Sequence, residues 1–164
     1  LYFKPDTNYS FGIELFKVQK RDYHWGFDHL DYTNTTLTGN FYYRNYGRIP
    51  FDMKLSAGEY LAGDIGSTIE LSRTFDTGVR FGIFATFTDV TNEEFGEGSF
   101  DKGFYLSIPT KLFYPEFTSG FISFGLHPLT KDGGAFLHQL NSLYSIMGGT
   151  NQYSITRDWD DILD

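Results

Sequence analysis

The stretches DIGSTIELSRTF (residues 64–75) and VRFGIFATFTD (residues 79–89), joined by Asp76-Thr77-Gly78, decide the fold of this chain. In the first, Ile65, Ile69, Leu71 and Phe75 fall on one parity, and Thr68, Glu70, Ser72 and Thr74 on the other. In the second, Val79, Phe81, Ile83, Ala85 and Phe87 share a face opposite Arg80, Gly82, Thr86 and Thr88. Side chains alternate across a β-strand, so this two-residue period describes a hairpin with one apolar and one polar face. Strands of soluble proteins are usually about five or six residues long, whereas strands that cross a membrane need about 9–11. These runs are of the longer kind, and their apolar face raises the question of lipid.

The composition agrees with an all-β chain. Among 164 residues there are 18 Phe, 12 Tyr and 18 Gly; aromatic and β-branched residues suit a pleated surface, and glycine marks turns and bends. The length suits a single domain, read here as residues 1–164: either a complete β-barrel domain or the C-terminal barrel portion of a longer protein. Thirteen Lys+Arg against 21 Asp+Glu give a formal charge of −8, which argues against a nucleic-acid surface. Without cysteine, disulfides and thiolate metal sites are excluded. The chain begins at Leu1 with no basic-then-apolar leader, so an export signal and any lipid anchor are expected upstream of it.

Working outward from the hairpin, further strands are expected at Tyr9–Lys20, Thr36–Tyr46, Phe51–Leu61, Lys102–Leu112 and Thr118–Leu126, with a polar stretch between Arg21 and Thr35. Ala62-Gly63 is expected to make a tight connection, and Gly78 to supply the positive φ of a bulged hairpin loop. Pro109 cannot donate to a ladder and marks a strand edge or end. Phe136–Met147 fits a strand or a short helix equally well, and the acidic tail from Arg157 reads as a peripheral helix or a frayed end.

The strongest candidate for function is the acidic, glycine-rich loop between Val90 and Lys102. Glu93, Glu94, Phe95, Glu97, Phe100 and Asp101 are its candidate glycan-contact or gating residues. Its carboxylates could hold calcium, but the spacing is not that of an EF-hand; the plainer alternative is a solvated connection. Gly96-Glu97-Gly98 lacks the third glycine and the βαβ context of a dinucleotide fingerprint. His24, His29, His127 and His138 are scattered rather than set at metal-ligand spacing, and no nucleophile elbow or P-loop occurs. The chain is therefore read as non-catalytic, with no cofactor and no metal. Periodicity alone leaves two envelopes open. The apolar parity can face the core of a soluble carbohydrate-binding barrel or sandwich, or it can face the lipid around an outer-membrane barrel.

Several motifs carry a resemblance: Gly58-Glu59-Tyr60-Leu61-Ala62-Gly63-Asp64, Leu71-Ser72-Arg73-Thr74-Phe75-Asp76, the run from Phe95 to Gly103, Pro128-Leu129-Thr130-Lys131-Asp132-Gly133-Gly134-Ala135, and Asn141-Ser142-Leu143-Tyr144. Together they resemble the C-terminal region of YjbH-type exopolysaccharide-biosynthesis proteins, which are similar to the capsule-locus protein GfcD. Lys131 stands where that pattern leads one to expect Arg. The resemblance implies an antiparallel meander of about eight strands, forming an outer-membrane-type β-barrel or part of one, at the Gram-negative outer membrane. It implies a role in exopolysaccharide or capsule biosynthesis and export, with surface polysaccharide, outer-membrane lipid and other polysaccharide-export proteins as partners, and no catalytic residues. On this reading Val79, Phe81, Ile83 and Phe87 face lipid, while Arg80, Thr86 and Thr88 face the lumen.

Overall fold

The computed structural model describes residues 1–21, 29–90, 100–114, 120–128 and 133–137, together with Ile146 and Trp159. Eight strands run in chain order: β1 (Tyr2–Phe3), β2 (Tyr9–Arg21), β3 (His29–Asn45), β4 (Phe51–Glu59), β5 (Ile65–Thr74), β6 (Arg80–Thr88), β7 (Asp101–Pro109) and β8 (Phe121–Leu126). Each pairs antiparallel with its sequence neighbour in one sheet of order β1 to β8. No pairing joins β1 to β8 among the described residues, so the sheet is an open meander. Strands β2 to β7 are 9–17 residues long, the length anticipated for the central hairpin.

Two hairpins share one construction. Phe75 N–H bonds the Val79 carbonyl at 2.8 Å and Gly78 N–H bonds the Phe75 carbonyl at 2.8 Å, with Gly78 at φ +81°. Tyr60 N–H bonds the Asp64 carbonyl at 2.8 Å and Gly63 N–H bonds the Tyr60 carbonyl at 3.0 Å, with Gly63 at φ +86°. Both are three-residue loops whose last residue must be left-handed, which glycine adopts without steric cost. Pro109 ends β7, and the 3₁₀ turn Thr110–Leu112 follows it.

Some boundaries differ from the sequence reading. Within the polar stretch from Arg21 to Thr35 the described residues are strand: β2 runs through Arg21 and β3 begins at His29. Thr33 and Thr35, β-branched and exposed, suit that strand, and Asn34 Nδ2 bonds the Tyr60 carbonyl at 3.2 Å and the Leu61 carbonyl at 3.3 Å. Tyr60 and Leu61 belong to a turn rather than to β4, and the short β1 has no alternating signature in the sequence. Gly133 to Leu137 is irregular; the remainder of the Phe136–Met147 question lies outside the described residues, apart from Ile146, and so does the tail apart from Trp159.

The burial pattern is inverted with respect to a water-soluble sheet. The buried side chains include Ser10, Thr36, Thr38, Asn40, Ser56, Asp64, Ser72, Thr86 and Asp101, whereas the buried hydrophobic ones among the described residues are Tyr42 and Tyr60. Register puts Asn40, Ser56, Thr68, Thr86 and Asp101 in one row across β3 to β7. Hydroxyls bridge within that row: Ser56 Oγ donates to Asn40 Oδ1 at 2.6 Å, and Thr68 Oγ1 lies 2.7 Å from Thr86 Oγ1. On the opposite face Tyr43, Met53, Leu71, Ile83, Phe104 and Leu126 form an apolar row, and Leu15, Ile83 and Phe87 are 67%, 47% and 51% exposed. Within the hairpin Phe81, Ile83 and Phe87 are exposed on one face, and Arg80, Thr86 and Thr88 lie on the face that carries the buried polar groups, while Val79, expected beside Phe81, is half-buried in the turn before β6.

Candidate functional site

Two ends of the sheet can be distinguished. The turns at 46–50 and 75–79 lie at one end; the turn at 60–64, the end of β6 and the start of β7 lie at the other, here termed the mouth. At the mouth the segment Gly133 to Leu137, the strap, is fastened over the polar face. Gly134 N–H donates to Asp64 Oδ2 at 2.7 Å, Leu61 N–H donates to the Ala135 carbonyl at 3.0 Å, and the Phe136 and Tyr60 rings meet at 4.4 Å and 62°. Gly133 and Gly134 have positive φ, and a Cβ on Gly134 would stand 2.8 Å from Thr86 Cγ2. Only glycine combines this backbone with this approach.

Tyr60 joins the strap to the hydroxyl row, its Oη lying 2.9 Å from Thr68 Oγ1. Burial raises the Tyr60 phenol above its ordinary value; the Thr68 bond opposes the shift, and the nearby Asp64 and Asp101 carboxylates add to it. The phenol therefore stays neutral across the physiological range and acts as a hydrogen-bonding strut, not as an acid or base. The space between strap and sheet, lined by Glu14, Thr36, Thr38, Tyr60, Phe136 and others, is about 10 Å³. That holds about one water, so the contact is a seal and not a pocket for a sugar ring.

A second polar constellation lies toward the turn end. Arg44, Asp52, Ser72, Gly82 and Tyr105 occupy one register row across β3 to β7. Arg44 Nε donates to Asp52 Oδ1 at 2.5 Å, Arg80 Nη2 donates to Ser72 Oγ at 2.8 Å, and Tyr105 Oη donates to Glu70 Oε1 at 2.6 Å. Tyr105 reaches across β6 because Gly82 leaves room: a Cβ there would stand 2.4 Å from the ring. Arg80 Nη2 lies 4.0 Å from Asp52 and 3.9 Å from Glu70, completing a half-buried charged lattice on the polar face.

Of the sequence-based candidates, Asp101 is buried at the start of β7, and Phe100 stacks on Phe87 at 4.8 Å, with Lys102 Nζ 4.3 Å from the Phe100 ring centroid. Phe100 thus covers the outer face, and Asp101 belongs to the mouth beside Tyr60. Glu93, Glu94, Phe95 and Glu97 lie outside the described residues. The sequence reading missed the joint between Asp64 and Gly134, although both lie in motifs that carried the family resemblance; spacing along the chain does not reveal that two such motifs touch.

The convergence of these motifs is matched by the comparisons. The model of the family described as "Exopolysaccharide biosynthesis protein YbjH" matches residues 1–148. The chain belongs to the YjbH family. It is 39% identical, over 149 residues, to "Uncharacterized lipoprotein YjbH" of Escherichia coli (strain K12), covering 89% of this chain and 21% of that protein. The chain thus spans about a fifth of the length of the curated relative it matches. No solved structure matches it.

The strap can be tested directly. Asp64→Ala removes a buried carboxylate that accepts the Gly134 N–H, and such charge-assisted bonds contribute about 1.5–3 kcal/mol. Protease cleavage within residues 133–137 should quicken about tenfold or more if opening and reclosing are fast relative to cleavage. Asp89→Ala, which removes an exposed acceptor of the Ile65 N–H (2.9 Å), should leave that cleavage rate close to the parent value.

Proposed function

We propose that this chain forms part of the wall of an outer-membrane β-barrel that serves exopolysaccharide production or export, without catalysing a reaction itself. The observation that carries the reading is the inverted sheet: long strands with hydroxyls, amides and charges on the inner face and Leu, Ile and Phe on the outer. Each large apolar side chain left in water forgoes about 1.5–3 kcal/mol of burial, and a contiguous apolar face of this extent marks a surface that meets lipid or protein. A lipid-facing sheet must also satisfy its backbone within itself, and neighbouring strands from β1 to β8 pair throughout, with one register shift between Gln19 and Arg21 and with open edges at β1–β2 and β8. The soluble carbohydrate-binding alternative requires the apolar parity inside, and the described burial argues against it.

On this reading the polar face is a hydrated wall, the strap closes its mouth, and the loop containing Glu93, Glu94 and Glu97 meets glycan or gates its passage. The family description supports the exopolysaccharide connection, and the relative's designation as a lipoprotein supports an envelope location. No helix among the described residues is long and apolar enough to cross a membrane. Deleting the gene for the full-length protein should lower extracellular polysaccharide, and the protein should leave the outer-membrane fraction only with detergent. Unchanged polysaccharide, or recovery in the soluble periplasm without detergent, contradicts the proposal.

A further inference from the structure

We infer that the polar face carries a subsite for an anionic group of a glycan, centred on Lys54 and resting on the lumen reading above. Among the described residues the strand cations on the turn-end half of this face are Arg44, Lys54 and Arg80, and the carboxylates among them are Asp52 and Glu70. Arg44 is committed to Asp52 through Nε, and Arg80 is held by Ser72 and stands near both carboxylates. Glu70, which faces Lys54 in register, is drawn instead toward the Tyr105 hydroxyl and Arg80. Among the described residues no carboxylate comes within ion-pair distance of Lys54. Its ammonium rests over the Tyr42 ring, 5.8 Å from the centroid.

The lattice therefore holds three cations against two carboxylates, and the surplus charge sits on a half-buried side chain of the polar face. In a water-filled but partly desolvated wall such a charge attracts an anion more strongly than an exposed lysine does. The Tyr42 ring is itself buried, and the half-buried Tyr2, whose hydroxyl bonds Ser10 Oγ at 2.7 Å and whose ring lies 6.0 Å from Tyr42, offers the accessible aromatic area near the charge. An aromatic surface with an adjoining unpaired cation suits a sugar bearing a carboxylate or a sulfate. The overall charge of −8 does not oppose this, because Glu14, Asp64 and Asp101 lie farther toward the mouth and the cationic surplus is local.

The test uses the full-length protein in detergent with polygalacturonate, sulfated dextran and neutral dextran as probes. The acidic polymers should bind with an affinity that falls as salt rises. Lys54→Gln should weaken that binding about tenfold, the effect of losing one charge-assisted contact, while Lys54→Arg should retain it. Neutral dextran should bind no better than background. A preference for polygalacturonate over sulfated dextran assigns a carboxylate, and the reverse assigns a sulfate. Equal binding of acidic and neutral polymers, or unchanged binding in Lys54→Gln, overturns the inference. Heat-modifiable migration of the same preparations separates the two levels: its absence in the parent protein undermines the barrel, whereas its presence without acid preference removes only the subsite.

Discussion

Ile83→Arg is expected to prevent assembly of the full-length protein in the membrane. Ile83 lies near the middle of β6 and points outward, in register with Leu71 on β5 and Phe104 on β7. A cationic side chain on the lipid face of a barrel costs about 2–4 kcal/mol at the midplane and progressively less toward the interfaces. A loss of that size lowers the folded-to-unfolded ratio by roughly 30- to 900-fold, a large share of a stability of about 5–15 kcal/mol. Ser123→Arg supplies the contrast. Ser123 on β8 lies in register with Ser107, to which it is hydrogen-bonded at 3.1 Å, on the polar parity. The same charge there should be tolerated with less than about 1 kcal/mol of effect, as expected for a surface open to water. Folded and unfolded fractions can be read from heat-modifiable migration. Equal tolerance at both positions would mean that the apolar face does not meet lipid.

The second large effect is expected from Gly66→Ala. A Cβ at this position would stand 2.2 Å from the Phe87 carbonyl oxygen and 2.8 Å from Thr88 Cα, so the obstacle is neighbouring backbone and not a movable side chain. The ladder between β5 and β6 must part near the mouth to accommodate it, and overpacking of this sort costs about 1–3 kcal/mol or more. Gly58 is similarly constrained, with a would-be Cβ 2.0 Å from the Leu37 carbonyl. Gly58 and Gly66 are opposed in register, which places two side-chain-free positions side by side where neighbouring backbone approaches closely. Gly39→Ala is the control. Its Cβ would meet the Ala57 carbonyl at 3.8 Å, an ordinary contact, and it should change the denaturation midpoint little. If Gly66→Ala proved as mild as Gly39→Ala, the close approach of the strands would be wrong.

Much of this architecture was legible in the sequence because a two-residue period survives whatever surrounds the sheet. The run from Ile65 to Thr74 gave strand, face and turn together, and Gly78 announced the positive φ that its hairpin requires. Which face looks outward was not legible from alternation, since a core and a bilayer select the same side chains. Burial of Ser56, Ser72 and Thr86 beside exposed Ile83 and Phe87 supplied that direction. The extension of β3 back to His29 was hidden by polar residues that read as loop, although Thr33 and Thr35 are good strand formers. The strap was hidden for another reason. Asp64 and Gly134 are 70 residues apart, and a single bond between distant motifs leaves no local pattern. The reach of Tyr105 over Gly82 is intermediate in this respect: each residue stood on the predicted face, but their register required the paired strands.

The central claim is the direction of the apolar face, and quenching by brominated lipid tests it most directly. Because the chain contains no cysteine, single replacements at Phe81, Ile83 and Ser107 each introduce one labelling position within it. In full-length protein reconstituted into brominated bilayers, labels at Phe81 and Ile83 should be strongly quenched, and a label at Ser107 should respond instead to an aqueous quencher. Strong lipid quenching at Ser107 with none at Phe81 and Ile83 would contradict the account.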